Sequence, residues 1–333
     1  PAPQLATLFP QYGPVQMTIR AGGSCGSLKL SAKASWRSKQ LHCSDALVAS
    51  QLDLPRKQWL ARAMQFRKDV RELFGNLSGP RLKAHPVTNF FKTYYRFDPS
   101  QDAAVTRWSP GLHVNLYGVV QREIGRVLPE ARPSLWSISR EASCLQVQEH
   151  HLSSPVTLDK LLRSKEFLAT VWARQPFFGC HGLHEWAMLY REPPNRSRYQ
   201  SLPLRVSQET INCVVDSSCP ILCTHYDAVI RYTPDALPLN RHRLLFEEFG
   251  RASEPLLEQP GCLHVAMDLF KAARMLWPYL PSELLADTMS IALRARVLDM
   301  RASPYDLRGV DPGHGNADLA DYRPIKIETP EGR

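Results

Sequence analysis

The chain reads as mainly α-helical with a few short strands (α+β), forming a single globular domain over residues 52–333. Three observations predict this. Apolar residues recur at three- and four-residue spacing over several long segments. The β-branched runs between them are short and bounded by Pro, Gly or Ser. Residues 1–51 differ in composition from everything that follows.

Hydrophobic residues make up 44% and charged residues 22% of the 333, which suits a soluble globular chain. No apolar run reaches about 18 residues, so no membrane partner is expected. The net charge is +9, but it is unevenly placed. The first fifty residues hold Arg20, Lys29, Lys33, Arg37 and Lys39 against one acid, Asp45, which leaves 36 basic and 31 acidic residues for the rest. The body is therefore only mildly basic and carries no clustered Lys/Arg stripe of the kind that grips a duplex.

Within the leader, TIRAGGSCGSLKLSAKASWRSKQ (Thr18 to Gln40) is rich in Ser, Ala, Gly and Lys/Arg and has no acid. That composition fits either a transit peptide to a chloroplast or mitochondrion or an ordinary disordered tail.

The elements follow in order. Pro55 to Phe74 places Trp59, Leu60, Met64, Val70, Leu73 and Phe74 on a helical stripe and stops at Gly75. HPVTNFFKTYYRF, His85 to Phe97, reads as a short aromatic helix with proline near its first turn. Leu112 to Val120 and Leu135 to Ile138 read as strands. Thr157 to Arg174 reads as an amphipathic helix capped by Thr157, and Gly182 to Arg191 as a helix after a glycine turn. Residues 192–220 read as loop, and Ile221 to Tyr232 as a further strand. Leu263 to Leu280 is helical until Pro278, and Ser282 caps a helix over Glu283 to Met300. DMRASPYDL then leaves through a Ser-Pro turn, and IKIET near the C-terminus is strand-like.

Eight cysteines are dispersed without a CxxC. Reduced thiols in an intracellular compartment are the expectation. Cys213, Cys219 and Cys223 cluster near His225, which leaves a small zinc site open beside the commoner reading of buried apolar thiols.

The densest chemistry is FFGCHGLHEWAMLYR, Phe177 to Arg191. His181, His184 and Glu185 fall at i, i+3 and i+4, one face of a helix. In THYDAVIRY, alternation would point His225 and Asp227 to one side. In GCLHVAMDLFK, His264 and Asp268 sit at i and i+4, with Lys271 one step further round. Three apolar segments thus each carry a His beside a carboxylate, and buried ionisable groups seek one another.

Three readings stay open. His184, His225 and His264 with Asp227 or Glu185 can hold zinc or non-haem iron. The same groups can form a metal-free acid/base pocket in which Glu185 or Asp268 activates water. Or they form a polar network that only fixes packing. Asp299, Arg301, Tyr305 and Asp306 make a second dense turn, in which an arginine clamps an anion or braces the loop. Trp186, Tyr190, Tyr226, Arg191, Lys271 and Tyr305 are the candidates for holding substrate.

The blocks FFGCHGLHEWAMLYR, CTHYDAVIRYTP, LEQPGCLHVAMDLFK, PSELLADTMSIALRARVLDMRASPYDL and IKIETPEGR resemble successive blocks of a family of bacterial, plant and algal proteins commonly labelled 3-methyladenine DNA glycosylase. The resemblance runs from about His85 to the C-terminus. It implies DNA as partner and N-glycosidic hydrolysis in DNA repair, with Glu185 or Asp268 activating water and aromatics sandwiching a flipped base. The rival is a metal-dependent hydrolase or oxygenase acting on a small organic substrate. The chain lacks a Gly-rich phosphate-binding hairpin. It also carries His181 where the family has an aromatic, which weakens His181 as a ligand.

Overall fold

A computed structural model describes residues 52–333 except 76, 78, 131–134, 140–143, 148–154, 193–201 and 314–316. The expected leader lies outside the described residues.

Chain order is β1 (Leu52–Leu54), α1 (Arg56–Phe74), α2 (Gly79–Ala84), α3 (Asn89–Tyr94), α4 (Ala103–Thr106), β2 (Val114–Tyr117), β3 (Trp136–Ser139) and β4 (Cys144–Val147). Then come α5 (Pro155–Trp172), α6 (Leu183–Ala187), α7 (Gln208–Ser217), α8 (Tyr226–Val229), α9 (Arg243–Phe249) and α10 (Glu254–Leu257). Last are α11 (Leu263–Leu276), α12 (Ser282–Ala302) and α13 (Ala317–Ala320). The architecture is mainly helical with one small sheet, as the periodicities predict. No helix among the described residues is long and apolar enough to cross a membrane.

Helix α1 buries one stripe, Trp59, Ala63, Phe66, Val70, Leu73 and Phe74. Of the residues read into it, Leu60 is only partly buried and Met64 is exposed, with Ala63 and Phe66 on the core side instead. Each large side chain withdrawn from water contributes roughly 1.5–3 kcal/mol. Gly75 ends the helix at φ +56, and its N–H returns to the Arg71 carbonyl at 2.6 Å. The sheet runs in the order β1-β2-β4-β3. Strands β1 and β2 are parallel, so the helices between them form the crossover, and the other pairings are antiparallel.

The longest helix, α12, packs most extensively against α11 and also against α1. Its buried face holds Leu285, Met289, Ala292, Leu293 and Met300, but also Arg296 and Asp299. A charged pair in the core face of a helix marks the place where folding was not the only demand.

Several elements differ from expectation. Ile221 to Tyr232 is not a strand. Ile221 makes one isolated bridge with Asn240, and residues 226–229 coil into α8. With no neighbouring strand to take its backbone groups, the segment closes them locally through Ala228 and Val229 N–H to the His225 carbonyl. IKIET is not a strand either: Ile325 N–H donates to the Arg301 carbonyl at 2.8 Å, holding the tail against the end of α12. Within the expected loop, α7 forms, with the Ser207 hydroxyl accepting from Thr210 N–H. It buries Ile211, Val214 and Val215, a stripe of little more than one turn. The 155–172 helix begins two residues before Thr157, and Ser282 is the first helical residue of α12 rather than its cap.

Candidate metal centre

The site assembles where α6, α8, α11 and α12 meet. Gly182, at φ +88, turns the chain into α6, and a Cβ there would lie 2.7 Å from the Ala302 Cβ on α12. Only glycine permits this approach, and it delivers His184 and Glu185 to the α12 face. His181 sits before that turn, at φ +31, rather than on a helical face with His184. Its exposed and buried portions line a cavity, but it joins neither ligand group described below.

Across the interface, His184 Nε2 lies 2.7 Å from Asp299 Oδ1, and both side chains are buried. The approach angle does not suit a hydrogen bond, so both atoms lack one. His264 comes in from α11, its ring centroid 4.7 Å from that of His184. The ligand atoms of His184, His264 and Asp299 all lie within 4.8 Å of one another. The second oxygen of Asp299 accepts from Arg296 Nη1 at 2.6 Å, and the same nitrogen reaches Glu185 Oε1 at 3.0 Å.

A second group stands beside the first. His225 caps the start of α8 and stacks on His264, centroids 4.8 Å apart. Its Nε2 is 3.3 Å from Asp268 Oδ2 and 3.2 Å from Glu258 Oε1. Among the described residues these two groups, His184/His264/Asp299 and His225/Glu258/Asp268, are the ones with metal-ligand spacing. The expected zinc set of Cys213, Cys219, Cys223 and His225 does not form there: Cys213 and Cys219 are exposed while Cys223 and His225 are buried.

The electrostatics follow from burial. Burial opposes protonation of His184, but the Asp299 carboxylate prevails and pushes it up to about 9. Burial also works against the charge on Asp299, yet His184 and Arg296 hold it well below the usual carboxylate range. His264 is held well below its ordinary value by burial and then by the two neighbouring imidazoles, so it stays neutral with a lone pair to give. Burial pushes Glu258 up to about 7, against the pull of His225 and with Glu254 and Asp268 adding to the rise.

A cavity of about 350 Å³ opens onto the first group, with His184 and His264 at its polar end. Phe177, Phe178, Leu222, Leu298, Ile325 and Ile327 make its apolar walls. Gln259 fixes the rim: its Oε1 accepts from Phe177 N–H at 2.7 Å and its Nε2 donates to the Phe177 carbonyl at 2.9 Å. Three thiols, Cys180, Cys223 and Cys262, face the same space, and Cys180 Sγ is 3.3 Å from His184 Nδ1. Cys223 falls to about 6, first through its bond to Cys180, with burial opposing and the His184 charge assisting.

Of the residues read from sequence, His184, His225, His264, Asp268 and Asp299 converge here. Asp227 does not join them as a ligand. Arg251 pairs with its carboxylate, and its Oδ2 accepts from the Tyr94 hydroxyl at 2.8 Å. Glu185 is buried and tied to Arg296, which leaves it unsuited to activating water from solvent. Arg301 lies outside, paired with Asp321 at 3.2 Å and donating to the Arg323 carbonyl.

The expected substrate residues are mostly structural. Trp186 is fully buried and donates to the Ala302 carbonyl at 2.8 Å. Tyr305 is in the core. Tyr190 is packed there too, its hydroxyl donating to Asp216 at 2.5 Å with Arg191 stacked over its ring at 4.7 Å. Tyr226 packs on Phe246 with Arg251 above it. Lys271 sits 5.4 Å over the Tyr94 ring and 3.9 Å from Asp268 Oδ1. Aromatic residues in a large chain serve the core more often than a ligand, because they bury the most apolar area.

Glu258, Tyr94 and Arg296 belong to the centre without having been singled out from the sequence. Glu258 follows α10 and shares no periodicity with His264, so no local pattern marks it. Tyr94, which the sequence places only in a short aromatic helix, donates its hydroxyl at 2.8 Å to both Asp227 Oδ2 and Asp268 Oδ1. Compared with protein-family models, curated proteins and solved structures, the chain matches none of them.

Proposed function

We propose that the chain is a metal-dependent hydrolase acting on a small, largely apolar organic molecule, with zinc or iron held by His184, His264 and Asp299. The observation that carries this reading is the buried contact of His184 Nε2 with Asp299 Oδ1, 2.7 Å apart yet without hydrogen-bond geometry. With His264 the ligand atoms of the three residues lie within 4.8 Å of one another. Ligands held about 2.0–2.2 Å from zinc stand roughly 3.4 Å apart, so His184 and Asp299 would have to separate slightly to take an ion.

Two histidines and one carboxylate leave coordination positions open for water and substrate, and a metal there lowers the pKa of its water towards neutrality. The chain's own residues supply the rest. Arg296 holds Asp299 by its other oxygen, so the ligand oxygen faces the histidines. The two faces of the cavity divide the work. Its apolar walls take the body of the substrate and exclude bulk water, and its His184/His264 end takes the scissile group.

The glycosylase expectation has less support, because Trp186, Tyr190 and Tyr305, among the aromatics read as substrate-holding, are committed to the core.

Metal content decides the matter. Mass spectrometry on untagged full-length protein should find zinc bound stoichiometrically in the wild type and lost in His264→Ala. Iron in its place would turn the reading from hydrolysis to oxygen chemistry. A wild type free of both metals after metal-replete expression would sink the proposal.

A further inference from the structure

The structure assigns a second divalent cation to His225, Glu258 and Asp268, beside the first, which makes the centre dinuclear. This rests on the metal reading of the first site.

Glu258 is the decisive residue. Its side chain is 1% exposed, and neither carboxylate oxygen has a hydrogen-bond partner. A buried carboxylate normally accepts two or more hydrogen bonds or faces a cation. His225 faces it as an ion-pair partner, but among the described residues no group donates a hydrogen bond to either oxygen. His225 Nε2, at 3.2 Å, approaches at an angle that makes no hydrogen bond, and it serves Asp268 Oδ2 instead. Arg251 is spent on Asp227 and Glu254. Arg174, which approaches Glu258, donates to its backbone carbonyl rather than its carboxylate.

The other two ligands are already aimed. Asp268 Oδ1 accepts from the Tyr94 hydroxyl at 2.8 Å and faces Lys271 at 3.9 Å, which leaves Oδ2 turned to the interior beside His225. That arrangement is how a ligating carboxylate is held from behind. The three ligand atoms lie within 4.8 Å of one another. One imidazole and two carboxylates suit zinc, manganese or ferrous iron.

The second group adjoins the first through His264, whose ring centroid is 4.7 Å from that of His184 and 4.8 Å from that of His225. His184 and His264 line the cavity while His225, Glu258 and Asp268 do not, so the second ion would hold this wall of the centre in place rather than touch substrate.

The test is a titration of chelator-stripped, full-length protein with Zn²⁺, followed by native mass spectrometry and calorimetry. Wild type should bind two ions. Glu258→Gln should bind one, with affinity for the second at least tenfold weaker, and should melt higher than wild type when stripped, since it removes the unpartnered buried carboxylate. Asp268→Asn, a change on the more exposed side of the group, should also bind one and guards against misfolding of the first variant. One ion in wild type and still one in Glu258→Gln would overturn the second site and leave the first standing. Two ions in both variants would overturn this choice of ligands. No ion in wild type would overturn both sites together.

Discussion

His184 Nε2 and Asp299 Oδ1 sit 2.7 Å apart, both buried, without hydrogen-bond geometry between them. Burial opposes the charge on His184, but its carboxylate neighbour prevails and pushes it up to about 9. A metal bound at this pair would replace that proton. Binding at neutral pH therefore releases a proton, and affinity should rise with pH.

Removing metal should loosen the fold. An ion that binds the native state at a hundred times its dissociation constant adds about 2.7 kcal/mol, so a chelator should lower the melting temperature by at least about 5 °C. Differential scanning calorimetry before and after chelation measures it. An unchanged melting temperature would speak against occupancy.

Arg296 should matter more for stability than its single salt-bridge geometry suggests. It is 2% exposed and one nitrogen serves both Glu185 and Asp299. Arg296→Met leaves two buried carboxylates without that cation, at a cost of about 3–5 kcal/mol in the stripped protein. Urea denaturation should show a smaller loss with metal bound, because an ion compensates Asp299.

Gly182→Ala tests how α6 is set. The residue sits at φ +88 and the new methyl would meet Ala302 at 2.7 Å. We expect a loss of about 1–3 kcal/mol, together with weaker metal binding, because His184 is only two residues on. Tight metal binding in a destabilised variant would separate the turn from the ligand.

At low pH a different group reports. Hydrogen bonds and charge from Arg308 hold Asp306 down at about 2. A carboxylate whose folded pKa is depressed contributes stability above its ordinary value near 3.8, and that contribution is lost as pH falls through about 2. The group is near the surface, so the effect should stay below about 1 kcal/mol. Asp306→Asn should be less stable than wild type at pH 5, and the gap should close by pH 2. A constant gap would mean the side chain acts by packing instead.

The sequence was informative wherever the signal is local. The stripe of α1, the His264–Asp268 face of α11 and the apolar face of α12 follow from a 3.6-residue period that solvent and core impose on any helix. That the buried histidines would have carboxylates near them was legible for the same reason, since charges do not enter a core without company, but the local pairs His184–Glu185, His225–Asp227 and His264–Asp268 are not the ones that form.

What only the tertiary structure decided is which partners meet. Asp227 stands two residues from His225, yet it goes to Arg251 and Tyr94, while Glu258, thirty-three positions along the chain, takes its place. Trp186 adjoins Glu185 and faces the core. The physical reason is that a ligand set is fixed by the directions in which four packed elements present their side chains. Those directions come from packing across the whole interior, which no spacing along one segment encodes.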